Sequence, residues 1–349
     1  MLRNWRSTTA MVRMRALAAV TTAAALVLSM AGPAQATPAR APATGVAHDI
    51  DDSGVIVGYV DDAAGERRAV RWNLDGTVTE LRARPGATTS RAYGINARGV
   101  IVGESQGLPV QWNTNGTITE LAHPQPGVYD PYRINENGFI SGWSGGTTAP
   151  RPVKWKPGGR IAELPLLPGG RNGQPWGING SGVIVGDSEI LDGGEYEWHA
   201  VRWNTDGTIT DLAPAGAVGS TAYDINPSGV IVGPSWTADG TWRALRWNAD
   251  GTTTDLPALP GGSTPYPISI NASGVIAGYS LNSAGKWRAV RWTPDGRITA
   301  LPGLPDSAED FVWGINRKGV IVGYSVNAAG ESRPVRWGPD GRISHLPGL

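Results

Sequence analysis

The chain has no cysteine, and all four methionines fall within its first 30 residues. Without cysteine, the protein has no disulfide, no thiol nucleophile and no thiolate metal ligand. The four histidines do not pair at metal-ligand spacings, and neither a phosphate-binding loop nor a Gly-x-Ser-x-Gly elbow occurs. These absences leave no catalytic motif, so we expect no catalytic residues, no metal, no cofactor and no enzymatic activity.

Beyond the first 36 residues the chain also lacks a long apolar run. Residues 1–36 have the composition of a secretory signal peptide: four arginines without an acidic residue, an apolar run from Ala16 to Met30, and small residues leading to Ala36. The run is too short and too rich in alanine for a membrane span of about 20 residues. We therefore expect cleavage after Ala36, a short linker over 37–45, secretion to the extracellular space, and no membrane association of the mature protein.

Charge of one sign is not in excess, since thirty basic residues balance thirty acidic ones. The four leader arginines leave with the signal peptide, so 26 basic residues face 30 acidic ones and the mature charge is −4. A negative protein has no strong electrostatic attraction for nucleic acid or anionic lipid. Nucleic acid is therefore excluded as a partner.

Self-similarity dominates the rest of the chain. An Ile-Asn pair recurs at Asn96, Asn135, Asn179, Asn226, Asn271 and Asn316, with Ile50-Asp51 as a first, altered copy. A tryptophan recurs in step with it, at Trp72, Trp112, Trp155, Trp203, Trp247, Trp292 and Trp337. Successive spacings run from 39 to 48 residues, which indicates seven copies of one structural unit over 46–349.

Each copy holds four short runs of β-branched and aromatic residues, without helical periodicity. Tight turns such as Asn-Arg-Lys-Gly at 316–319 join the first run to the second, and turns such as Thr-Pro-Asp-Gly at 293–296 join the third to the fourth. Small antiparallel sheets of four strands, repeated seven times, predict an all-β, seven-bladed β-propeller.

Residues 254–262 (Thr-Asp-Leu-Pro-Ala-Leu-Pro-Gly-Gly) and 270–280 give the repeat a recognisable signature. The signature resembles the HAF extracellular repeat family of exported bacterial proteins, named for a His-Ala-Phe triplet before a Trp-ended strand. His199-Ala200-Val201-Arg202-Trp203 is the nearest copy here, and arginine replaces the histidine in several others. The resemblance implies a repeat fold and export, and it implies no activity.

Three positions before each marker asparagine, an aromatic residue recurs at Tyr93, Tyr132, Trp176, Tyr223 and Trp313, with His48 and Ile268 in the other copies. If the Ile-Asn run is the innermost strand, these rings cluster at the mouth of the central channel. They pack between blades, or they form a stacking platform for sugars or a partner's side chains.

Further aromatic residues fall in or beside the longer connections without recurring in register, among them Trp143, Trp198 and Trp236. Such residues suggest a contact surface. The expected function is therefore a secreted recognition module that binds a polysaccharide or an extracellular protein through these rings. Two alternatives stay open: a propeller hydrolase or lyase with a site at the channel mouth, which converging carboxylates would favour, and a structural protein of the cell envelope.

Overall fold

A computed structural model describes residues 44–124, 127–145, 151–192 and 194–349. The expected signal peptide (1–36) and nearly all of the expected linker (37–45) lie outside the described residues and stay predictions. Those ranges contain no helix that could serve as a membrane span.

The described residues form 29 strands, which follow the seven sequence repeats. Repeat one contains β1 (Gly45–Ile50), β2 (Ile56–Asp61), β3 (Arg67–Trp72) and β4 (Val78–Glu80). Repeat two contains β5 (Ser90–Ile95), β6 (Ile101–Ser105), β7 (Leu108–Trp112) and β8 (Ile118–Glu120). Repeat three contains β9 (Val128–Ile134), β10 (Ile140–Gly145), β11 (Arg151–Trp155) and β12 (Ile161–Glu163). Repeat four contains β13 (Gly173–Ile178), β14 (Ile184–Asp192), β15 (Glu195–Trp203) and β16 (Ile209–Asp211).

The last three repeats continue the pattern. Repeat five contains β17 (Ala217–Ser220), β18 (Asp224–Ile225), β19 (Ile231–Thr237), β20 (Trp242–Trp247) and β21 (Thr253–Leu256). Repeat six contains β22 (Ser263–Ile270), β23 (Ile276–Leu281), β24 (Trp287–Trp292) and β25 (Ile298–Ala300). Repeat seven contains β26 (Ser307–Ile315), β27 (Ile321–Asn327), β28 (Ser332–Trp337) and β29 (Ile343–His345).

Strand pairing follows chain order within each repeat. Repeats one, two, three, six and seven are separate four-stranded antiparallel sheets. Repeats four and five join into one nine-stranded sheet through a single parallel pairing between β15 and β17, at Trp198 and Gly219. The prediction of an all-β protein made of four-stranded antiparallel sheets is thus confirmed at this level, with the fused pair of repeats as a difference.

The marker residue shapes the turn after each first strand, and in five repeats its asparagine amide also donates to the next repeat. In repeat two, Asn96 Oδ1 accepts the backbone N–H groups of Arg98 at 3.1 Å and Val100 at 3.0 Å, while Gly99 takes a φ of +77°. Asn96 Nδ2 donates to the carbonyl of Asn135, the next marker, at 3.1 Å. The same link runs from Asn316 of the last repeat to the carbonyl of Asp51 in the first, at 3.0 Å.

The hydrophobic core lies between repeats rather than within one. Trp292, which is fully buried, packs with Val290 and Ile276 of its own repeat against Val232 and Leu256 of the preceding one. Its indole Nε1 donates to the carbonyl of Pro257 at 2.9 Å, so the ring fills space and satisfies a loop carbonyl. Equivalent bonds recur in the other repeats, and Trp72 of the first repeat donates to the carbonyl of Pro347 in the last, at 2.7 Å.

A bulge in each first strand positions the candidate site. In repeat two, Ala92 pairs with Gly103 and Gly94 pairs with Val102, which leaves Tyr93 between them without a partner in β6. A bulge frees one residue from the ladder and redirects its side chain. The recurring aromatic position is this bulged residue in repeats one, two, three, four, six and seven.

Candidate functional site

The residues at the recurring aromatic position of five consecutive repeats form a series of ring contacts, called here the inner aromatic cluster. Centroid separations are 5.3 Å for His48–Tyr93, 5.7 Å for Tyr93–Tyr132, 5.0 Å for Tyr132–Trp176 and 5.9 Å for Trp176–Tyr223. Trp313 of the last repeat meets His48 edge-on at 5.6 Å. The structure therefore brings Tyr93, Tyr132, Trp176, Tyr223 and Trp313 together, as the repeat register predicts.

The inner aromatic cluster is interrupted only at the sixth repeat, where the bulged residue is the buried Ile268. Tyr266, two residues earlier on β22, contacts Tyr223 instead at 6.5 Å. Tyr266 also lies 5.3 Å from Tyr279 in a stacked arrangement. The ring contacts thus continue from Tyr223 to Tyr266 and Tyr279 of repeat six.

The three non-recurring tryptophans take different positions. Trp143 lies in β10, and its Nε1 donates to the Tyr132 hydroxyl at 2.7 Å, which joins it to the inner aromatic cluster. Trp236 in β19 stacks on Trp242 at 5.2 Å and reaches the cluster only through Tyr266. Trp198 lies in β15 opposite Glu189, outside the described ring contacts of the cluster. All three belong to strands, because the second and third strands extend into segments that the sequence assigned to loops.

Beside the inner aromatic cluster, three charged residues converge to form the central ion cluster: Asp49, Arg133 and Asp224. Arg133 Nη1 lies 3.6 Å from Asp49 Oδ2 and donates to the carbonyl of Tyr93 at 3.1 Å. Arg133 Nη2 donates to the carbonyl of Trp313 at 3.0 Å, so this guanidinium spans from repeat three to repeat seven. The Arg133 and Asp49 side chains keep only 22% and 17% of their exposure.

The carboxylates of the central ion cluster tie adjacent first strands together. Asp49 Oδ2 accepts the N–H of Ile95 in the next repeat at 3.0 Å, and Asp224 Oδ2 accepts the N–H of Ile270 at 2.9 Å. Burial raises the pKa of both carboxyls, and the positive charge of Arg133 opposes that rise. The positive charge of Arg133 thus offsets the free-energy cost of burying the Asp49 and Asp224 carboxylates.

In other repeats, glycine at the position equivalent to Asp49, Arg133 and Asp224 leaves room for the central ion cluster. A Cβ added to Gly94 would lie 2.8 Å from the Tyr132 carbonyl oxygen, and one on Gly314 would lie 3.3 Å from Asp49 Oδ1. The first strands of neighbouring repeats therefore approach too closely for side chains at every copy. Only the three repeats that carry Asp49, Arg133 and Asp224 place a charge there.

A second group, the acid cluster, lies at repeats two and three and consists of Arg91, Tyr93, Glu104 and Asp130. Arg91 Nη1 lies 3.7 Å from Glu104 Oε1, and Glu104 Oε2 accepts the N–H of Gly107 at 2.7 Å. Burial and the neighbouring Glu104 charge raise the pKa of Asp130 to about 6, and Arg91 counteracts this. Burial, with the Asp130 charge, also raises the pKa of the Tyr93 hydroxyl.

His48 is neutral in this site. Its Nδ1 lies 2.8 Å from the carbonyl of Ala92, and because a carbonyl only accepts, Nδ1 carries the proton. Burial lowers the pKa of His48 to about 3, against the opposing effect of that hydrogen bond. The imidazole therefore contributes a ring and a dipole, and it adds no charge near neutral pH.

Neither the acid cluster nor the central ion cluster was singled out from the sequence. A signal was present: Asp49, Arg133 and Asp224 occupy a register position that is glycine or serine in the other four repeats. Arg91, Glu104 and Asp130 likewise do not recur. Carboxylates that do recur, such as Asp75 and Asp206, accept hydrogen bonds from turn threonines and are structural.

Comparison with known proteins identifies the fold. No protein-family model and no curated protein matches the chain. Among solved structures, a puromycin hydrolase complexed with PGG is similar at a TM-score of 0.62 and 16% identity, over 88% of this chain and 54% of that one. A puromycin-hydrolyzing peptidase from Mycobacterium tuberculosis matches at 0.63 and 14%, over 88% and 53%. Virginiamycin B lyase from Staphylococcus aureus matches at 0.52 and 16%, over 88% and 95%.

These similarities overturn the expectation of a non-enzymatic recognition module. The three solved proteins compared above are named as two puromycin-hydrolysing enzymes and a lyase, which agrees with the alternative of an enzyme rather than with the binding module first expected. The expectation rested on the absence of a linear catalytic motif, and a repeat fold can assemble a site from residues of several repeats without one. The chain spans about half the length of the puromycin hydrolases and nearly all of the lyase.

Proposed function

We propose that this protein is a lyase whose active site lies at the inner aromatic cluster, with the acid cluster as its chemical centre. The observation that carries the proposal is the half-buried Asp130 carboxyl, whose pKa of about 6 keeps it partly protonated near neutrality. Its neighbours Glu104 and Arg91 carry opposite charges. Two carboxyl groups with different environments at one site are the usual arrangement for acid and base roles.

An elimination needs a proton acceptor, a proton donor and stabilisation of negative charge. In the proposed reaction Glu104 takes a proton from carbon, a carbon–carbon double bond forms, and the leaving oxygen departs with the proton of Asp130. Arg91 stabilises the charge that develops on a carbonyl oxygen next to the ionised carbon. The inner aromatic cluster supplies the apolar wall that holds the substrate. Both carboxyl groups return to their initial states by exchange with solvent.

Two facts favour a lyase over a hydrolase. The similarity to the lyase extends over 95% of that protein's length. Glu104 is also buried, which limits its access to water. The test below therefore also measures hydrolysis, which is the alternative activity.

The test compares the mature chain with the Asp130→Asn variant on virginiamycin B and puromycin, followed by mass spectrometry. Elimination gives products whose masses sum to that of the substrate, whereas hydrolysis adds one water. We expect elimination, a kcat about 10²- to 10⁴-fold lower in Asp130→Asn, and a wild-type rate that falls as pH rises through about 6. Asp206→Asn, in an exposed turn, is the matched control and should keep full activity. Absence of turnover with both compounds, or full activity of Asp130→Asn, would overturn the proposal.

The finer architecture and the origin of the chain belong to the same proposal. We infer that the seven repeats are the blades of one closed propeller, supported by the bond from Asn316 to Asp51 and by the packing of Val322 and Leu346 with Ala47. The repeat signature supports membership of the HAF extracellular repeat family. The composition of residues 1–36 supports secretion. The N-terminal sequence of the exported protein, expected to begin at Thr37, would test the prediction of secretion.

A further inference from the structure

The marker turns of repeats six and seven border a cationic groove. A cavity of about 280 Å³ lies there, lined among others by Asn271, Ser273, Arg291, Thr293, Arg317 and Lys318. All three ionisable side chains in the lining are cations. A groove of this kind stands out in a chain whose mature charge is negative.

The seven marker turns provide an internal comparison. Repeat seven reads Asn-Arg-Lys-Gly at 316–319, whereas repeats six, five and four read Asn-Ala-Ser-Gly, Asn-Pro-Ser-Gly and Asn-Gly-Ser-Gly at 271–274, 226–229 and 179–182. The turns of repeats one, two and three are Asp-Asp-Ser-Gly, Asn-Ala-Arg-Gly and Asn-Glu-Asn-Gly. Repeat seven alone carries two adjacent cations at this turn. The backbone of the turn does not require them, since the other copies fold without them.

Arg291 differs from its counterparts in repeats one, four and five in a second, independent way. Arg71, Arg202 and Arg246 each donate Nε to the asparagine two residues further on, at 2.7, 2.9 and 2.9 Å. Repeat six has Thr293 in place of that asparagine, and the Thr293 hydroxyl donates to Asp295 instead. Within the described part of the chain, Nε and Nη2 of Arg291 therefore have no acceptor.

The remaining donor of Arg291 fixes its orientation. Nη1 donates to the carbonyl of Pro339 in repeat seven at 2.9 Å, as Arg246 Nη1 does to the carbonyl of Pro294 at 2.8 Å. With Nη1 held, the Nε–Nη2 edge is the side of the guanidinium left for another group. That edge is the geometry that binds two oxygens of one oxyanion.

Two carboxylates adjoin the groove: Asp295, which accepts the Thr293 hydroxyl and pairs with Arg297 at 2.8 Å, and Asp52 of repeat one. Arg317 Nη2 lies 3.1 Å from Asp52 Oδ2, and Lys318 Nζ lies 3.5 Å from the carbonyl of Ser53. Asp52 is outside the cavity lining, so it offsets one of the three positive charges. The groove keeps an excess of positive charge after this pairing.

We propose that this groove is an anion site for a phosphate or sulfate group. The Nε–Nη2 edge of Arg291 binds two of its oxygens, and Arg317 and Lys318 supply the remaining charge. The group belongs either to a free inorganic ion or to a polymer that carries phosphate. The groove shares no residue with the inner aromatic cluster or the acid cluster, so it is a second function and does not depend on the first.

The test follows backbone amide NMR signals of Gly319 and Ser273 during titration with inorganic phosphate, sulfate and a polyphosphate chain at constant ionic strength. Two variants isolate the two observations. R317A/K318S gives repeat seven the Asn-Ala-Ser-Gly turn already present in repeat six, so the turn is expected to fold. T293N restores the asparagine acceptor for Arg291 Nε and leaves the charge of the groove unchanged. Arg98→Ser removes the cation at the equivalent turn position of repeat two and is the matched control.

We expect a saturable shift at Gly319 with a dissociation constant in the millimolar range, and no saturable shift at Gly99 of repeat two. Affinity should fall by about tenfold or more in R317A/K318S and in T293N, and it should be unchanged in Arg98→Ser. Tighter binding of polyphosphate identifies a polymer-borne group, and equal affinity identifies the free ion. Equal, unsaturable shifts at all marker turns, or wild-type affinity in T293N, would overturn the proposal.

Discussion

Replacement of Arg133 by methionine tests the central ion cluster directly. The guanidinium makes two hydrogen bonds to carbonyls, those of Tyr93 and Trp313, and offsets the charges of Asp49 and Asp224. A hydrogen bond from a charged group contributes about 1.5–3 kcal/mol, and the loss of one partner of a buried ion pair costs about 3–5 kcal/mol. Methionine recovers part of the packing, so we expect Arg133→Met to lose about 3 kcal/mol of unfolding free energy at pH 7.

The loss should depend on pH with a definite sign. Burial raises the pKa of Asp49 and Asp224 in the folded state, and Arg133 limits the rise. A carboxyl whose folded pKa exceeds its unfolded value binds more protons when folded, so stability falls as pH rises through that interval. Without Arg133 the folded pKa values of Asp49 and Asp224 rise further, so the pH interval over which stability falls extends to higher pH. The deficit of Arg133→Met should therefore be larger at pH 7 than at pH 4.5.

Urea unfolding at the two pH values measures both quantities by linear extrapolation. Arg160→Met, which removes an exposed arginine, is the control for loss of one surface charge. The triple variant D49N/R133M/D224N should regain more than half of the lost stability, because no uncompensated charge remains. A deficit below about 1 kcal/mol at pH 7, or the same deficit at both pH values, would refute the assignment of Arg133 as the counter-charge.

Two further outcomes follow from the contacts described above. Asn316→Ala removes the bond from the last repeat to the first and should cost about 1–3 kcal/mol in urea unfolding, as should Asn96→Ala at an interior repeat. An undiminished stability of Asn316→Ala beside a destabilised Asn96→Ala would argue against closure through this contact. The ring C–H signal of His48 should not titrate between about pH 5 and 8, because burial lowers its pKa to about 3. The pKa of His199 is raised by its bond to Asp211, so its signal should titrate in the same experiment; titration of His48 near pH 6.5 would contradict its burial.

Much of the fold could be predicted from the sequence, because the same turn and the same core contact recur in the seven repeats. The marker asparagine satisfies its own turn and the next repeat, and the third-strand tryptophan fills the space between repeats, so both residues recur visibly. The inner aromatic cluster was predictable for the same reason, from Tyr93 to Trp313. The fusion of repeats four and five was not, because it rests on a single backbone pairing at Trp198 and Gly219 that no side chain signals.

The chemistry of the site could not be predicted in this way. Arg91, Glu104 and Asp130 are ordinary polar residues in the sequence, and their proximity arises only when repeats two and three pack together. The raised pKa of Asp130 is a property of that packing, since burial and the Glu104 charge cause it. A motif search fails for the same reason, because the residues lie on different strands at no fixed spacing.

Departures from the repeat are therefore the informative positions of this protein. A recurring residue needs no function to explain it, since the same turn or core contact recurs with it. Asp49, Arg133 and Asp224 instead place charges where four other repeats have glycine or serine, and partial burial of these groups costs free energy that the repeat fold does not require. Thr293, Arg317 and Lys318 depart from the repeat together at one groove. Charge at positions where the repeat needs none is the physical reason to look for function at the two ion clusters and at this groove.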